Sequence, residues 1–192
     1  MQATRFSSLV MSDLHRIHGR SGAALFLREL VLGESFKYVF WMRACAATRQ
    51  HGWLKFLLHP WARLMLRRCR YKYGISIAFT TRIGPGFYIG HFGGIVVNDA
   101  AVIGRNCNIS HGVTIGQANR GPSVGVPTLG DDVYIGPGAK VVGGIRVGNR
   151  VAIGANAVVT HDVPDDAVVV GIPARVVSMQ GSLGYINRTD YL

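Results

Sequence analysis

Acidic side chains are scarce in this sequence. Across 192 residues, 21 Lys and Arg stand against 10 Asp and Glu, a formal net charge of +11. The imbalance is local: residues 1–74 hold 13 basic and 3 acidic residues, whereas residues 75–192 hold 8 and 7. A basic front is joined to a nearly neutral back. Nucleic acid is a poor explanation, because the back has no basic stripe and no nucleic-acid motif accompanies the basic front. Cysteine is sparse too. The three at positions 45, 69 and 107 lack metal-ligand spacing and cannot all pair, which fits free thiols in a reducing compartment. Long apolar runs are missing: the longest uncharged stretch, Ile83 to Asn98, holds five glycines and is too short for a membrane span. The opening MQATRFSSLVMSDLHR has neither the apolar run nor the cleavage site of a signal peptide, so a cytoplasmic protein is expected. A composition of 48% hydrophobic and 16% charged residues is that of a globular chain.

The front reads as helices. Ser12–Asp13 offers a cap, and Gly33 would close a helix carrying AALFLRELVL. SFKYVFWMRACAATRQ forms a second, ending near His51–Gly52. A third places Trp53, Phe56, Leu57, Trp61, Leu64 and Met65 at helical spacing, with a bend expected at Pro60, and stops at Gly74. Residues 1–74 are thus expected to be a basic helical segment whose apolar faces pack on each other or on a neighbouring subunit. Peripheral contact with an anionic membrane is the sharper reading of the same charge.

The back carries a repeat of six. Ile77, Ile83 and Ile89 keep that step, Val97, Ile103, Ile109 and Ile115 resume it, and Leu129, Ile135, Val141, Val147, Ile153 and Val159 continue it. Glycine follows the aliphatic residue at 84, 90, 104, 116, 130, 136, 148 and 154. Six is not a helical period. It suits short strands joined by glycine-assisted turns and stacked as a parallel β-helix, expected over residues 75–178 with a tail at 179–192. The series loses step twice, by two residues between Ile89 and Val97, where His91 stands, and at GQANRGPSVGVPT, expected to be a loop extruded at 116–128.

The stretches IGHFGGIVVNDAAVIG, NISHGVTIG, VYIGPGAKVVGG and VAIGANAVVTHDVPDDAVVVGIPARVV resemble the left-handed β-helix acyltransferases, most closely their serine acetyltransferase-like branch. The resemblance covers about residues 35 to 178. It implies an all-β left-handed β-helix preceded by helices, assembly as a homotrimer with active sites between neighbouring subunits, and acetyl-CoA as acetyl donor. It also implies that His91 is the general base, a role suited to an imidazole titrating near neutrality. His111, twenty residues on, should occupy a similar position on the next coil, where it would contact the acceptor, orient His91 or simply cover the wall; Asn98 is a further acceptor candidate. By motif position Gly116, Gln117, Gly136, Pro137, Gly154 and Ala155 would line the pantetheine groove, small residues letting an extended arm lie close. Arg175 would meet CoA phosphate. No metal is expected, since His91, His111 and His161 lack the close pairing that the zinc enzymes of this fold use.

Four departures bear on the acceptor. Where serine acetyltransferases carry an aspartate fifteen residues before the histidine, this chain has Ser76; where another aspartate precedes the histidine, it has Gly90. An Arg-His pair of the loop is replaced by Gly125–Val126. Free serine presents an ammonium and a carboxylate that need charged partners. Their joint loss gives the expectation of a neutral acceptor, a sugar hydroxyl of a capsule or exopolysaccharide unit. Serine O-acetylation is the alternative within enzymes, and a membrane-docked scaffold or binding module the alternative outside them.

Overall fold

The computed structural model describes residues 5–50, 52 and 54–191, the side chains of 50 and 54 excepted. Five helices come first: α1 (Phe6–His18), α2 (Ala23–Leu32), α3 (Glu34–Gln50), α4 (Leu54–Leu57) and α5 (His59–Tyr73). Gly19 and Gly74 close α1 and α5 at φ of 69° and 62°, the left-handed conformation that glycine adopts without a Cβ clash. Pro60 does not bend one long helix. The chain breaks at Leu58, and Pro60 sits in the first turn of α5, where its missing N–H is no loss. Positions 51 and 53, to which a helix end and a packing role were assigned, lie outside the described residues.

Two expectations for the helices are corrected. Ser12 and Asp13 cap nothing; they lie buried within α1 and face the β-structure. The packing face of α5 is Ala62, Leu66, Cys69 and Tyr73, while Phe56, Leu57, Trp61 and Leu64 are exposed. Both stripes repeat at helical spacing, so periodicity alone cannot choose between them; the one with smaller side chains lets α5 approach α3 closely.

From Ile75 the chain winds into a parallel β-helix of three sheets, ordered in space so that each strand pairs with its counterpart one coil away. The six-residue series becomes three stacked columns. Ile77, Val97, Ile115, Val141 and Val159 form one; Ile83, Ile103, Leu129 and Val147 the second; Ile89, Ile109, Ile135, Ile153 and Val169 the third. Of these fourteen side chains only Ile83 is not fully buried, and together they make a continuous aliphatic core. Steps in the first column are 20, 18, 26 and 18 residues. The excess of two falls in the corner after Ile89, and the excess of eight in the loop before Thr128.

A solenoid's first coil has no coil beneath it, so its downward N–H and C=O groups need other partners. The helices supply them through side chains. The buried Tyr38 hydroxyl donates to the Ile77 carbonyl (2.8 Å) and accepts from the Ile77 N–H (2.9 Å). Arg43, held by Asp13 at 3.0 Å, donates to the carbonyls of Ile83 and Gly84 at 2.7 and 2.6 Å. Asp13 accepts from the Phe87 N–H, Ser12 Oγ from the Gly86 N–H, and Arg16 donates to the Gly86 carbonyl. The buried polar residues of α1 and α3 are thus the lower lid of the β-helix. At the other end Val168–Gly171 pairs with Ala174–Ser178, which runs antiparallel. The tail then folds back, with Tyr185 stacked on Tyr134 at 4.3 Å and Asp190 meeting His15 at 3.0 Å. No described helix is long and apolar enough to cross a membrane.

Candidate active site

Corners of the third column align. Counting two residues beyond Ile89, Ile109, Ile135, Ile153 and Val169 gives His91, His111, Pro137, Ala155 and Gly171, one above the other along the β-helix axis. The upper corners turn in the same way, with a left-handed residue at Gly112, Gly138 or Asn156. The first differs. Ile89 and Ile95 are six apart where Ile109 and Val113 are four, and two successive glycines, Gly93 and Gly94 (φ 111° and 64°), bring the enlarged turn back into register. The added length lifts His91 and Phe92 off the wall into solvent, and Phe92 rests edge-on against Tyr73 at 5.4 Å. His91 and His111 are both exposed, their rings 6.1 Å apart and inclined at 75°. Among the described residues neither ring forms a hydrogen bond or ion pair. Ser76 lies outward on the strand beside Val96.

Other expected site residues divide between two edges. Gly136, Pro137, Gly154 and Ala155 share the histidine corner, one and two coils above His111. Arg175 lies opposite Val170, just past this column, exposed, with Nη1 on the Ala174 carbonyl. Asn98, Gly116 and Gln117 lie at the opposite end of the Ile95–Val97 and Thr114–Gly116 strands, so one chain does not bring them to the histidines. The Asn98 side chain is occupied locally, accepting from the Ala100 N–H at 2.9 Å.

The small residues divide too. A Cβ on Gly136 would come within 2.9 Å of the Ala155 N and the Ile153 carbonyl, and one on Gly154 within 2.7 Å of Val170. Coil stacking alone therefore demands glycine at 136, where the neighbours are backbone atoms; at 154 the obstacle is the half-exposed Val170 side chain. A Cβ on Gly116 or Gly90 would meet nothing nearer than 3.5 Å, so these two are not demanded by stacking and leave open surface. One group was not singled out from the sequence. Lys140 projects from the strand beside Thr114 and its ammonium donates to the carbonyl of Gly112, next to His111. Its signal was a cation at an outward position whose register partners are Ser, Val and Thr. Among the described residues no three His, Cys, Asp or Glu side chains gather as a metal site.

An exposed histidine on a solenoid corner is a geometry with many relatives, and comparison narrows them. Residues 127–161 match the family described as bacterial transferase hexapeptide (six repeats). The serine acetyltransferase of Bacillus pumilus is 36% identical over 183 residues, 95% of this chain and 82% of the relative. The chain belongs to the serine acetyltransferase family. Solved serine acetyltransferases agree in fold. That of Neisseria gonorrhoeae in complex with serine superposes with a TM-score of 0.73 and 33% identity, covering 90% of this chain and 69% of the other. That of Brucella abortus in complex with coenzyme A gives 0.75 and 28%, covering 92% and 69%. The fold is therefore the left-handed β-helix of this family, and the protein is an acyltransferase.

Membership corrects the expected acceptor. Identity to serine acetyltransferases over nearly the whole chain overturns the sugar O-acetyltransferase reading and its placement in capsule or exopolysaccharide synthesis. Ser76, Gly90, Gly125 and Val126 are still where the sequence has them. The faulty step was to treat those four positions as the only sources of charge for a zwitterion, when Lys140 already brings an ammonium to the histidine corner.

Proposed function

We propose that this protein transfers the acetyl group of acetyl-CoA to the hydroxyl of serine, with His91 as general base. The observation that carries the reading is the 36% identity to a serine acetyltransferase across 95% of the chain. His91 accepts the hydroxyl proton as the serine oxygen attacks the thioester carbonyl. The tetrahedral intermediate collapses by breaking the carbon–sulfur bond, and the imidazolium returns its proton to the departing thiolate. Backbone N–H groups of the glycine-rich corner stabilise the oxyanion. His111 stands beside His91 and orients it or meets the acceptor, and Lys140 takes the serine carboxylate.

Acetyl-CoA lies along the corner column, over Pro137 and Ala155. From the level of His91 to that of Gly171 is four coil spacings, about 19 Å at about 4.8 Å each, a span for an extended pantetheine arm. Arg175, at the end of that path, receives phosphate. Gly116, Gln117 and Asn98 stand on the other edge, so the groove is completed between copies in a homotrimer, the histidine corner of one facing the Gly116 edge of the next.

Purified protein supplied with acetyl-CoA and serine should release CoA thiol and form O-acetylserine of the corresponding mass. His91→Ala should lower turnover by about 100-fold or more with acetyl-CoA binding retained. Folded wild-type protein that binds acetyl-CoA but leaves serine unmodified would overturn the substrate. Undiminished turnover in His91→Ala would overturn the mechanism.

A further inference from the structure

Among the described residues no helix or strand covers the face of α5 turned away from α3. At 100° per residue, Pro60, Leu64 and Tyr71 fall opposite the buried Ala62, Leu66, Cys69 and Tyr73. Leu64 and Tyr71 are 43% and 74% exposed; at the entry to the helix Phe56, Leu57 and Trp61 are 80%, 66% and 56% exposed. Exposed apolar side chains thus run from α4 to Leu64, and Tyr71 follows two turns later, beyond Arg67 and Arg68.

Cations flank it on both sides. Arg63, Arg67 and Arg70 follow each other at helical spacing on one flank, Arg68 and Lys72 on the other, and Lys55 stands beside Phe56. None of these six makes an ion pair among the described residues. No acidic residue occurs between positions 35 and 98, a stretch holding ten Lys and Arg. Beside the ridge, Arg63, Arg67 and Arg70 line an open groove of about 470 Å³ whose apolar wall includes Leu64, Tyr71 and, from the first coil, Phe79.

We infer that α4 and α5 form a docking surface for an anionic phospholipid bilayer. The ridge of Phe56, Leu57, Trp61 and Leu64 enters the headgroup boundary, and the arginine groove takes lipid phosphate. An apolar stripe bordered by cations, with aromatic residues at one end, is what an interfacial helix presents to such a bilayer. A second copy docked through the same face is a poorer occupant. Pairing α5 on α5 would set arginine rows against each other with no carboxylate between them, and burying like charges opposes association.

The test is co-sedimentation of the full-length protein at low salt with vesicles of phosphatidylcholine alone or with one-third phosphatidylglycerol. Binding is expected only to the anionic vesicles and should fall as salt is raised. Arg63→Gln/Arg67→Gln/Arg70→Gln should weaken partitioning about 100-fold, and Phe56→Ser/Trp61→Ser about 10-fold or more, with circular dichroism unchanged in both. Equal binding to neutral vesicles, or none to anionic ones, would overturn the proposal. So would vesicle-free assemblies that Phe56→Ser/Trp61→Ser splits into smaller ones, since another copy would then cover the face.

Discussion

Two residues inserted after Ile89 move a histidine from the wall into solvent, and the same enlarged corner explains how much of the candidate site could be read from the sequence. The break in the six-residue step marked His91, register carried the reading to His111, and motif position carried it to Pro137 and Ala155, which share the corner. Lys140 stayed hidden because an outward cation on a strand looks like any solvated residue until its contact with the Gly112 carbonyl is known. Gly136 has a second reason to be glycine that the motif did not show, since a Cβ there would meet the backbone of the next coil. Lys140→Met should raise the KM for serine about 10- to 100-fold, the worth of a hydrogen bond to a charged group, and leave the KM for acetyl-CoA unchanged. Equal rises in both would place the lysine elsewhere than on the acceptor. Cysteine chemistry is testable at the same scale. Cys45, Cys69 and Cys107 are all buried, and burial pushes the thiols of Cys45 and Cys107 up to about 11 and about 12. A disulfide reagent used to follow CoA release should find no protein thiol in native enzyme and three per chain after unfolding.

Single elements show where patterning was ambiguous. The strands were legible because their core residues alternate with turn glycines at a fixed period. The helical character of residues 1–74 was legible but its division was not, since three helices were expected where five are described; α5 also carries two apolar stripes, and the larger one turned outward. Polar residues inside helices were read as caps because a sequence does not show the unpaired edge they face. Tyr38→Phe tests that edge: packing is kept, while the Ile77 N–H and C=O lose their partner. Each buried group left unpaired costs about 1–3 kcal/mol, which should appear as a lower urea midpoint at unchanged slope. A second prediction concerns the turn at Asp165–Asp166. The Arg150 side chain holds the Asp166 carboxyl below its ordinary value of 3.8, and the Asn149 backbone N–H does the same for Asp165. Since the folded state favours the carboxylate, this contribution is complete above 3.8 and is lost as pH falls below it. Asp166→Asn should flatten the acid limb of the stability profile, and an unchanged limb would show that the turn takes no part in it.

At the scale of the whole molecule, charge and fold divide at the same place: the basic residues gather on the helices and the neutral half forms the solenoid. A parallel β-helix has no inherent last coil, because each coil offers the next an identical row of donors and acceptors. In the sheet that carries the third column, the antiparallel strand Ala174–Ser178 ends that series. Its hydrogen-bonding groups alternate in narrow and wide pairs, a spacing that the even ladder of a parallel neighbour does not match. At the other end, Tyr38, Arg43 and Asp13 have already consumed the groups a newcomer would need. A second copy is thereby refused as the next coil of that sheet, the way a solenoid would otherwise lengthen into a filament.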